Sequence, residues 1–440
     1  MDHLRKIIGD LFTIIIIKLA RWLRIDMNRT IFEIIQSEYY YINFFLTRIF
    51  FQKDEYEKHC IPLTYQRFKY AILITFNGWL VITLLIFYIW WKESKIVINY
   101  VHFEKILNIQ RVDLVFICMI CIFCVAECIF IGLLSKVLEY KSGIHDFFQK
   151  HLQFDDQQLT SDDFQYLKQY YLLLRITGIS FSTIVIPSLS ILYFSSISLV
   201  VWLYFKNSIT LIQLIITITS ILLAYFHVEF LITAIQIGTL SIAYCTEFLK
   251  LKSKQSLKFL QDNYRPKHFS MIKFTWNHIH REYVNLYQQT ALLDKTLSFV
   301  LYNMELISKI SLITACVFFS RQISMGISNS IIFGSMMMVF VYTSVIYSRL
   351  TYLPAAYNHR CCQLLLKLMV RQSIMENKIK KQTFMLVTKI KSNLFLQTME
   401  HNKFGFHCGQ LFFITKFKVV ELIMMNIPLI VLFYKKISIN

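Results

Sequence analysis

The sequence predicts an all-α polytopic membrane protein with seven transmembrane helices, a cytoplasmic N-terminus and an extracellular C-terminus. Hydrophobic residues make up 56% of the 440 positions, more than one or two soluble cores could bury. Several apolar windows have the length of about 20 residues that crosses a hydrocarbon core. Lysine and arginine are distributed unequally between the connections, which sets the orientation.

The predicted spans follow one another along the chain. They are Tyr70–Trp91, Leu114–Leu134, Tyr170–Phe205, Ser208–Tyr244, Leu297–Phe319, Ser328–Tyr347 and Phe417–Tyr434. The third and fourth are long enough to be divided into two crossings each. The halves around Pro187 have no polar turn between them, so we expect a single long, tilted or kinked helix.

With the N-terminus inside, most of the 46 lysines and arginines fall on the cytoplasmic side. The short outer connections around Lys206 and Arg321 favour the same orientation. A net charge of +19 would suggest nucleic acid as the partner of a soluble protein. In a membrane protein it indicates cytoplasmic loops beside anionic lipid. We therefore expect a lipid bilayer as partner and no nucleic acid.

The chain is predicted to be one membrane domain over residues 1–440. Its parts are a cytoplasmic N-terminal region (1–69), helices one to six with their loops (70–347), a cytoplasmic loop and anchor helix (348–416) and the last helix (417–434). Asp10 and Lys18 leave only a short apolar stretch near the start, so we expect an interfacial amphipathic helix there rather than a targeting signal.

Helical extensions are predicted on the cytoplasmic side. The stretch "WNHIHREYVNLYQQTALLDKTLSFVLYNMELISKI" from Trp276 has apolar positions at helical spacing and no proline, which predicts one helix running into the fifth span. Residues 360–400 are likewise amphipathic and helical. Helices that project so far suggest packing against one another or against other subunits, as an anchor region.

The sequence indicates no catalytic or metal centre. The stretch "CMICIFCVAEC" has CxxC spacing, but the run is apolar and Glu127 is its only hard ligand, so we read packed helix cysteines. There is no Gly-rich phosphate loop, HExxH, nucleophile elbow or carboxylate pair at catalytic spacing. We expect no enzyme activity, no cofactor and no metal.

Polar residues within the spans are candidates for a ligand pocket. Glu305 and Lys309 lie four apart on one face of the fifth span. An intramembrane ion pair could bind a polar ligand or could tie this helix to a neighbour. The candidate pocket residues are Tyr302, Glu305, Lys309, Ser180 and Thr183. His227 in the fourth span is expected to make an interhelical hydrogen bond.

The C-terminal stretch "FLQTMEHNKFGFHCGQLFFITKFKVVELIMMNIPLIVLFYKK" resembles the C-terminal signature of arthropod gustatory receptors, members of the insect chemoreceptor superfamily. The resemblance is carried by Leu396–Met399, the bend Phe404–Gly409 and Phe412–Thr415. The segment 276–305 is similar to the family's long fifth-helix segment. The family's Thr-Tyr and Gln-Phe pairs are missing from Asn426–Lys435, which indicates a divergent member.

The resemblance implies a ligand-gated, non-selective cation channel in the plasma membrane. It implies a homo- or hetero-tetramer of related subunits, with the last helix of each lining a central pore. A small-molecule tastant would enter a pocket open to the outside among helices two to six.

The resemblance also assigns roles in the last helix. The candidate pore and gate residues are Glu421, Asn426, Leu429, Ile430 and Phe433, and the candidate hinges are Gly409 and Pro428. Bulky apolar side chains suit a gate that closes by dewetting. A fourfold ring of Glu421 carboxylates would favour cations, and the structural alternative is an ion pair with Lys418 or Lys416.

Other membrane functions stay open at this stage. A transporter would show internal repeats and broken helices near the midplane, and only Pro187 and Pro428 suggest breaks. A membrane enzyme would cluster His, Asp or Glu within the spans. A G-protein-coupled receptor, as one example of a non-channel receptor, would place the N-terminus outside.

Overall fold

The computed structural model describes residues 65–90, 112–138, 147, 159–263, 269–320, 327–351, 357–379, 383–401 and 404–439. The amphipathic helix expected in the first residues lies outside these ranges.

The described residues form nine helices and one short hairpin. The elements are α1 (Tyr65–Trp90), α2 (Val112–Leu138), α3 (Ser161–Phe205), α4 (Leu211–Asn263), α5 (Phe269–Ser320), α6 (Ile327–Leu350), α7 (His359–Ile379), α8 (Thr383–His401), β1 (His407–Cys408), β2 (Phe412–Phe413) and α9 (Lys416–Ile439). The two strands are antiparallel, with His407 opposite Phe413 and Cys408 opposite Phe412.

Each predicted span lies within a helix, apart from Ser208–Thr210, which precede α4, and Trp91, which lies outside the described residues. The third and fourth spans are single helices, as predicted, and α3 continues through Pro187. Among the described residues, five helices are long and apolar enough to cross a membrane, and α6 adds the shorter apolar segment Met336–Leu350. The last span is helical throughout, although most side chains in the second half of α9 lie outside the described residues.

Local capping explains where α3 and α4 begin. The Thr160 side chain accepts a hydrogen bond from the backbone N–H of Asp163, and acidic residues occupy the first turn of α3. Before α4, Thr210 and Gln213 form a reciprocal capping box. The Gln213 side chain accepts from the Thr210 N–H at 2.9 Å, and the Thr210 hydroxyl accepts from the Gln213 N–H at 3.3 Å.

The largest hydrophobic core lies mainly where α4 and α5 extend beyond the spans predicted from the sequence. There they pack with α7, α8 and the segment before β1, as the predicted anchor region requires. Aromatic rings fill its centre: Phe404 lies 5.4 Å from both Tyr283 and Tyr357 between ring centroids. The Tyr283 hydroxyl donates to Asn358 Oδ1, and Asn358 Nδ2 donates to the Met399 carbonyl. These bonds fix α5, the start of α7 and the end of α8 together.

Candidate functional site

The intramembrane ion pair predicted on the fifth span is present in α5. Lys309 Nζ lies 3.2 Å from Glu305 Oε1. Lys309 also donates a hydrogen bond of 2.7 Å to Asn426 Oδ1 of α9. Asn426 is buried, with 5% of its surface exposed. A predicted pocket residue and a predicted pore residue are therefore in direct contact, and the pair ties α5 to the last helix.

The bend Phe404–Gly409 is anchored on α5 at its far end. The Gly409 N–H donates to the Ser298 carbonyl at 2.9 Å, and Gly409 has φ +56°. Its Cα faces Tyr302, because a Cβ added there would stand 3.1 Å from Tyr302 Cβ. Glycine is favoured here both by the left-handed backbone and by the close approach of α5. Tyr302, predicted as a pocket residue, thus supports the turn that leads into α9.

A second contact holds the bend at His407. Asp294 of α5 accepts hydrogen bonds from the His407 backbone N–H and from its Nδ1, each at 2.7 Å. Three of the surrounding apolar side chains, Phe404, Phe406 and Ile414, are almost completely buried. The bend is consequently a packed element with fixed bonds to α5.

Helix α6 reaches the same element through Tyr347. Its hydroxyl donates to the Leu301 carbonyl at 2.9 Å and lies 3.2 Å from Cys408 Sγ. Since the phenol proton is given to Leu301, the thiol is the donor in the contact with Cys408. Burial is the largest cause that raises the pKa of Cys408 to about 11, which keeps the thiol protonated for that role.

Glu421 forms the ion pair considered as the structural alternative. Its Oε2 lies 2.7 Å from Lys418 Nζ one turn earlier on α9, and both side chains are exposed. In the single chain the carboxylate therefore has a cation beside it. Pro428 is exposed on the same helix, which continues without interruption to Ile439.

Five predicted site residues have side chains outside the described part of the molecule. They are Ser180 and Thr183 on α3 and Leu429, Ile430 and Phe433 on α9. Their assignments remain predictions.

A buried polar pair that the sequence analysis did not assemble joins α2 to α4. His227 Nε2 lies 3.5 Å from Glu127 Oε1, and both side chains are almost fully enclosed. Helix α1 covers them with Gly78, where an added Cβ would be 2.1 Å from Glu127 Oε1. Phe123 presents its ring to His227 at 5.1 Å. The expected interhelical hydrogen bond of His227 is wrong for the described part of the chain: neither ring nitrogen of His227 and neither carboxylate oxygen of Glu127 has a hydrogen-bond partner there. The histidine lies beside the glutamate of the cysteine-rich helix without bonding to it.

The signal for this pair is visible in the sequence in retrospect. Glu127 and His227 are ionisable groups in apolar spans, and such groups need partners because solitary ones are costly in a membrane. What periodicity does not reveal is which helices become neighbours.

Comparison with known proteins gives few matches. No protein-family model and no curated protein matches the sequence. Among solved structures, the chain is similar to the insect olfactory receptor OR5 from Machilis hrabei. The two share 12% sequence identity with a TM-score of 0.46, over 84% of this chain and 89% of that one.

Proposed function

We propose that the protein is a chemosensory receptor that acts as a ligand-gated, non-selective cation channel in the plasma membrane. A small molecule, a tastant by the family resemblance, binds from the outer side and opens a pore lined by the last helix. Four copies, identical or related, surround that pore.

The observation that carries the proposal is the hydrogen bond from Lys309 to Asn426. It joins the helix that holds Tyr302, Glu305 and Lys309, three of the candidate ligand-binding residues, to the helix that holds the candidate gate. A ligand that contacts Glu305 or Lys309 competes with Asn426 of α9 for the Lys309 ammonium group. Binding is thereby coupled to the position of the last helix, which is the requirement for ligand gating.

The contacts of the bend support the same coupling. Asp294, Ser298 and Tyr302 lie at successive turns of α5, and each contacts the bend at His407 or Gly409. Lys309 lies farther along α5 and contacts α9 directly. Helix α5 therefore contacts both the bend that precedes α9 and α9 itself. A movement of α5 would be transmitted at several points.

The outward face of α9 suits contact with other subunits or lipid. Phe417, Val420, Met424 and Val431 are apolar and well exposed in the single chain. Exposed apolar surface of this kind is ordinary for a membrane helix facing lipid. It is equally what a helix packed around a central axis would present.

The test is expression of the full chain in oocytes with current recording during a tastant screen. We expect agonist-evoked cation currents. Asn426→Leu should change the half-maximal agonist concentration by about threefold or more, since an intramembrane hydrogen bond contributes about 0.6–2 kcal/mol.

Asn303→Leu is the matched control. Asn303 is also a buried asparagine, but its side chain donates a hydrogen bond to the Phe299 carbonyl of its own helix. Its substitution should leave the agonist concentration unchanged. Equal shifts for both variants would remove the support that Asn426 gives to the proposal.

Further measurements separate the alternatives. Confirmed surface tetramers that give no current, together with uptake of a labelled substrate, would establish a transporter instead. An epitope accessible from outside at the N-terminus and from inside at the C-terminus would contradict the proposed orientation.

A further inference from the structure

Glu127 and His227 form an enclosed polar pair inside the membrane-spanning part of the chain. Their side chains are 0% and 1% exposed, and His227 Nε2 lies 3.5 Å from Glu127 Oε1. Both residues, and Gly78 which covers them, lie within helical segments that are long and apolar enough to cross a membrane. None of the candidate ligand, pore or hinge residues belongs to this pair.

Helix α1 closes the site at Gly78. A Cβ added to Gly78 would lie 2.8 Å from His227 Cε1 and closer still to the Glu127 carboxylate. The two side chains therefore meet directly on the α1 backbone. The surroundings are apolar, because Phe123 contacts the imidazole at 5.1 Å between ring centroids and belongs to a buried cluster with Val81.

The pair has no hydrogen bonds among the described residues. Neither carboxylate oxygen of Glu127 and neither ring nitrogen of His227 has a partner there. An ionised carboxylate without donors is strongly disfavoured in an apolar surrounding. A buried ion pair offsets its lost hydration only with close geometry and further hydrogen bonds, and this pair has neither. The arrangement therefore favours an uncharged carboxylic acid beside an uncharged imidazole.

The ion pair of α5 shows the contrast. Lys309 lies 3.2 Å from Glu305 and donates a further hydrogen bond of 2.7 Å to Asn426. The Glu305 side chain is also more accessible, with 13% of its surface exposed. That pair meets the conditions under which a carboxylate keeps its charge, whereas the pair at Glu127 does not.

Helices α1 and α2 supply no cation for Glu127. In the apolar segment of α1 the only ionisable side chain is that of Tyr88. In the apolar segment of α2 the other ionisable side chains are cysteines, of which Cys124 lies one turn before Glu127 and Cys128 follows it directly. A phenol or a thiol carries no positive charge in any state.

The helices packed behind the pair do not supply a cation either. On α4, Tyr225 and Glu229 are each two positions from His227, so their side chains point to other sides of the helix. On α3, which packs against α4, Tyr193 contacts the Tyr225 ring at 5.2 Å. On α5, which packs against α2, Lys309 is the one lysine or arginine of the predicted span and is already bound as described above.

We propose that Glu127 and His227 form a proton-binding site in which Glu127 holds one proton at neutral pH. The proton makes the carboxyl group an uncharged donor, and Nε2 of His227, 3.5 Å away, is the acceptor beside it. The bound proton allows α2 and α4 to bring two polar groups together on the α1 backbone without a net charge. A proton also needs no additional volume in a site that Gly78 closes. The site does not depend on the proposed channel function.

Infrared spectroscopy of the purified full-length protein in detergent, at neutral pH, tests the proposal. An uncharged carboxylic acid has a C=O stretching band that is separate from the bands of carboxylates and amides. We expect this band in the unsubstituted protein and its loss in Glu127→Gln. Unfolding the unsubstituted protein at the same pH should abolish the band as well, which provides a measurement that needs no variant.

Glu305→Gln is the matched control. It removes a second intramembrane glutamate, one that lies beside Lys309. Because that carboxylate has a cation as its partner, its substitution should leave the band unchanged.

The pH dependence of stability gives a second readout. A glutamate in water ionises at about pH 4.3, so at neutral pH the unfolded chain releases the proton that the folded chain holds. The stability of the unsubstituted protein should fall for this reason as the pH rises. Glu127→Gln has no such proton to release. Its unfolding temperature relative to the unsubstituted protein should therefore increase from about pH 5 to about pH 8.

Either readout can overturn the proposal. A spectrum of the unsubstituted protein without the band, or a band that persists in Glu127→Gln, would show that Glu127 does not hold the proton. A difference in unfolding temperature that stays constant with pH, or a destabilised Glu127→Gln without the band in the unsubstituted protein, would indicate an ionised Glu127 paired with an imidazolium.

Discussion

Asp294 holds His407 at two points across 113 positions of sequence, with one carboxylate oxygen on the backbone N–H and the other on the imidazole Nδ1. The two groups join the middle of α5 to the first residue of β1. Because α9 begins shortly after this hairpin, the pair determines where the last helix starts relative to α5.

Substitution of Asp294 tests how much this pair contributes. Asp294→Ala removes both acceptors, and we expect a loss of about 2 kcal/mol, the scale for hydrogen bonds to a charged group. The unfolding temperature of the purified protein should fall clearly. Asp262→Ala, which removes an exposed carboxylate from α4, should leave it almost unchanged; comparable losses would show that Asp294 acts only through general charge.

Gly409 is predicted not to tolerate a side chain. Gly409→Ala places a methyl group at φ +56° and 3.1 Å from Tyr302 Cβ, an atom that cannot rotate away. The backbone alone costs about 1–2 kcal/mol. Gly334→Ala is the control, because among the described residues no atom from outside its own helical turn lies within 4 Å of its added Cβ. It should be neutral or stabilising. Equal unfolding temperatures for the two variants would refute the strain assigned to Gly409.

Gly78 and Glu127 are predicted to be coupled. In Gly78→Ala the new Cβ would stand 2.1 Å from Glu127 Oε1, so the carboxylate has to move. Overpacking of this kind costs about 1–3 kcal/mol. Glu127→Ala removes the nearest clashing group and leaves His227 Cε1 at 2.8 Å from the new Cβ, so Gly78→Ala should be less harmful in that background and still destabilising. A double-mutant cycle on unfolding temperature measures the difference, and strict additivity would contradict the contact.

Cys361 and Cys362 are predicted to react differently with maleimide. Burial is the main cause that raises the pKa of Cys361 to about 12, and its side chain is completely enclosed. Only the thiolate reacts, and a raised pKa lowers its population at pH 8. In Cys362→Ser, residue 361 should stay unlabelled until the protein unfolds, whereas in Cys361→Ser residue 362 should label. Peptide mass spectrometry distinguishes these outcomes, and rapid labelling of Cys361 in the folded protein would show that α7 is not packed as described.

The extent of each helix along the chain could be predicted from the sequence because helix formation depends on local features. Apolar length, helical spacing and the scarcity of proline predict α3 as one helix through Pro187 and α5 as one helix into its span. Glu305 and Lys309 lie on the same face of α5 because four residues separate them in the sequence.

The contacts between helices could not be predicted in the same way. Periodicity states which face of a helix is polar but not which other helix meets it. Asn426 and Lys309 each interrupt an apolar run, yet only the packing of α5 against α9 makes them partners. The same holds for Glu127 and His227.

The lengths of α4 and α5 have a mechanical consequence. With 53 and 52 residues, each helix extends close to 80 Å at 1.5 Å per residue, more than twice the hydrocarbon thickness of about 30 Å. A rigid rod of that length amplifies rotation. A tilt of about 5° around one end of α5 would displace the other end by roughly 7 Å, enough to carry a whole side chain from one neighbour to the next.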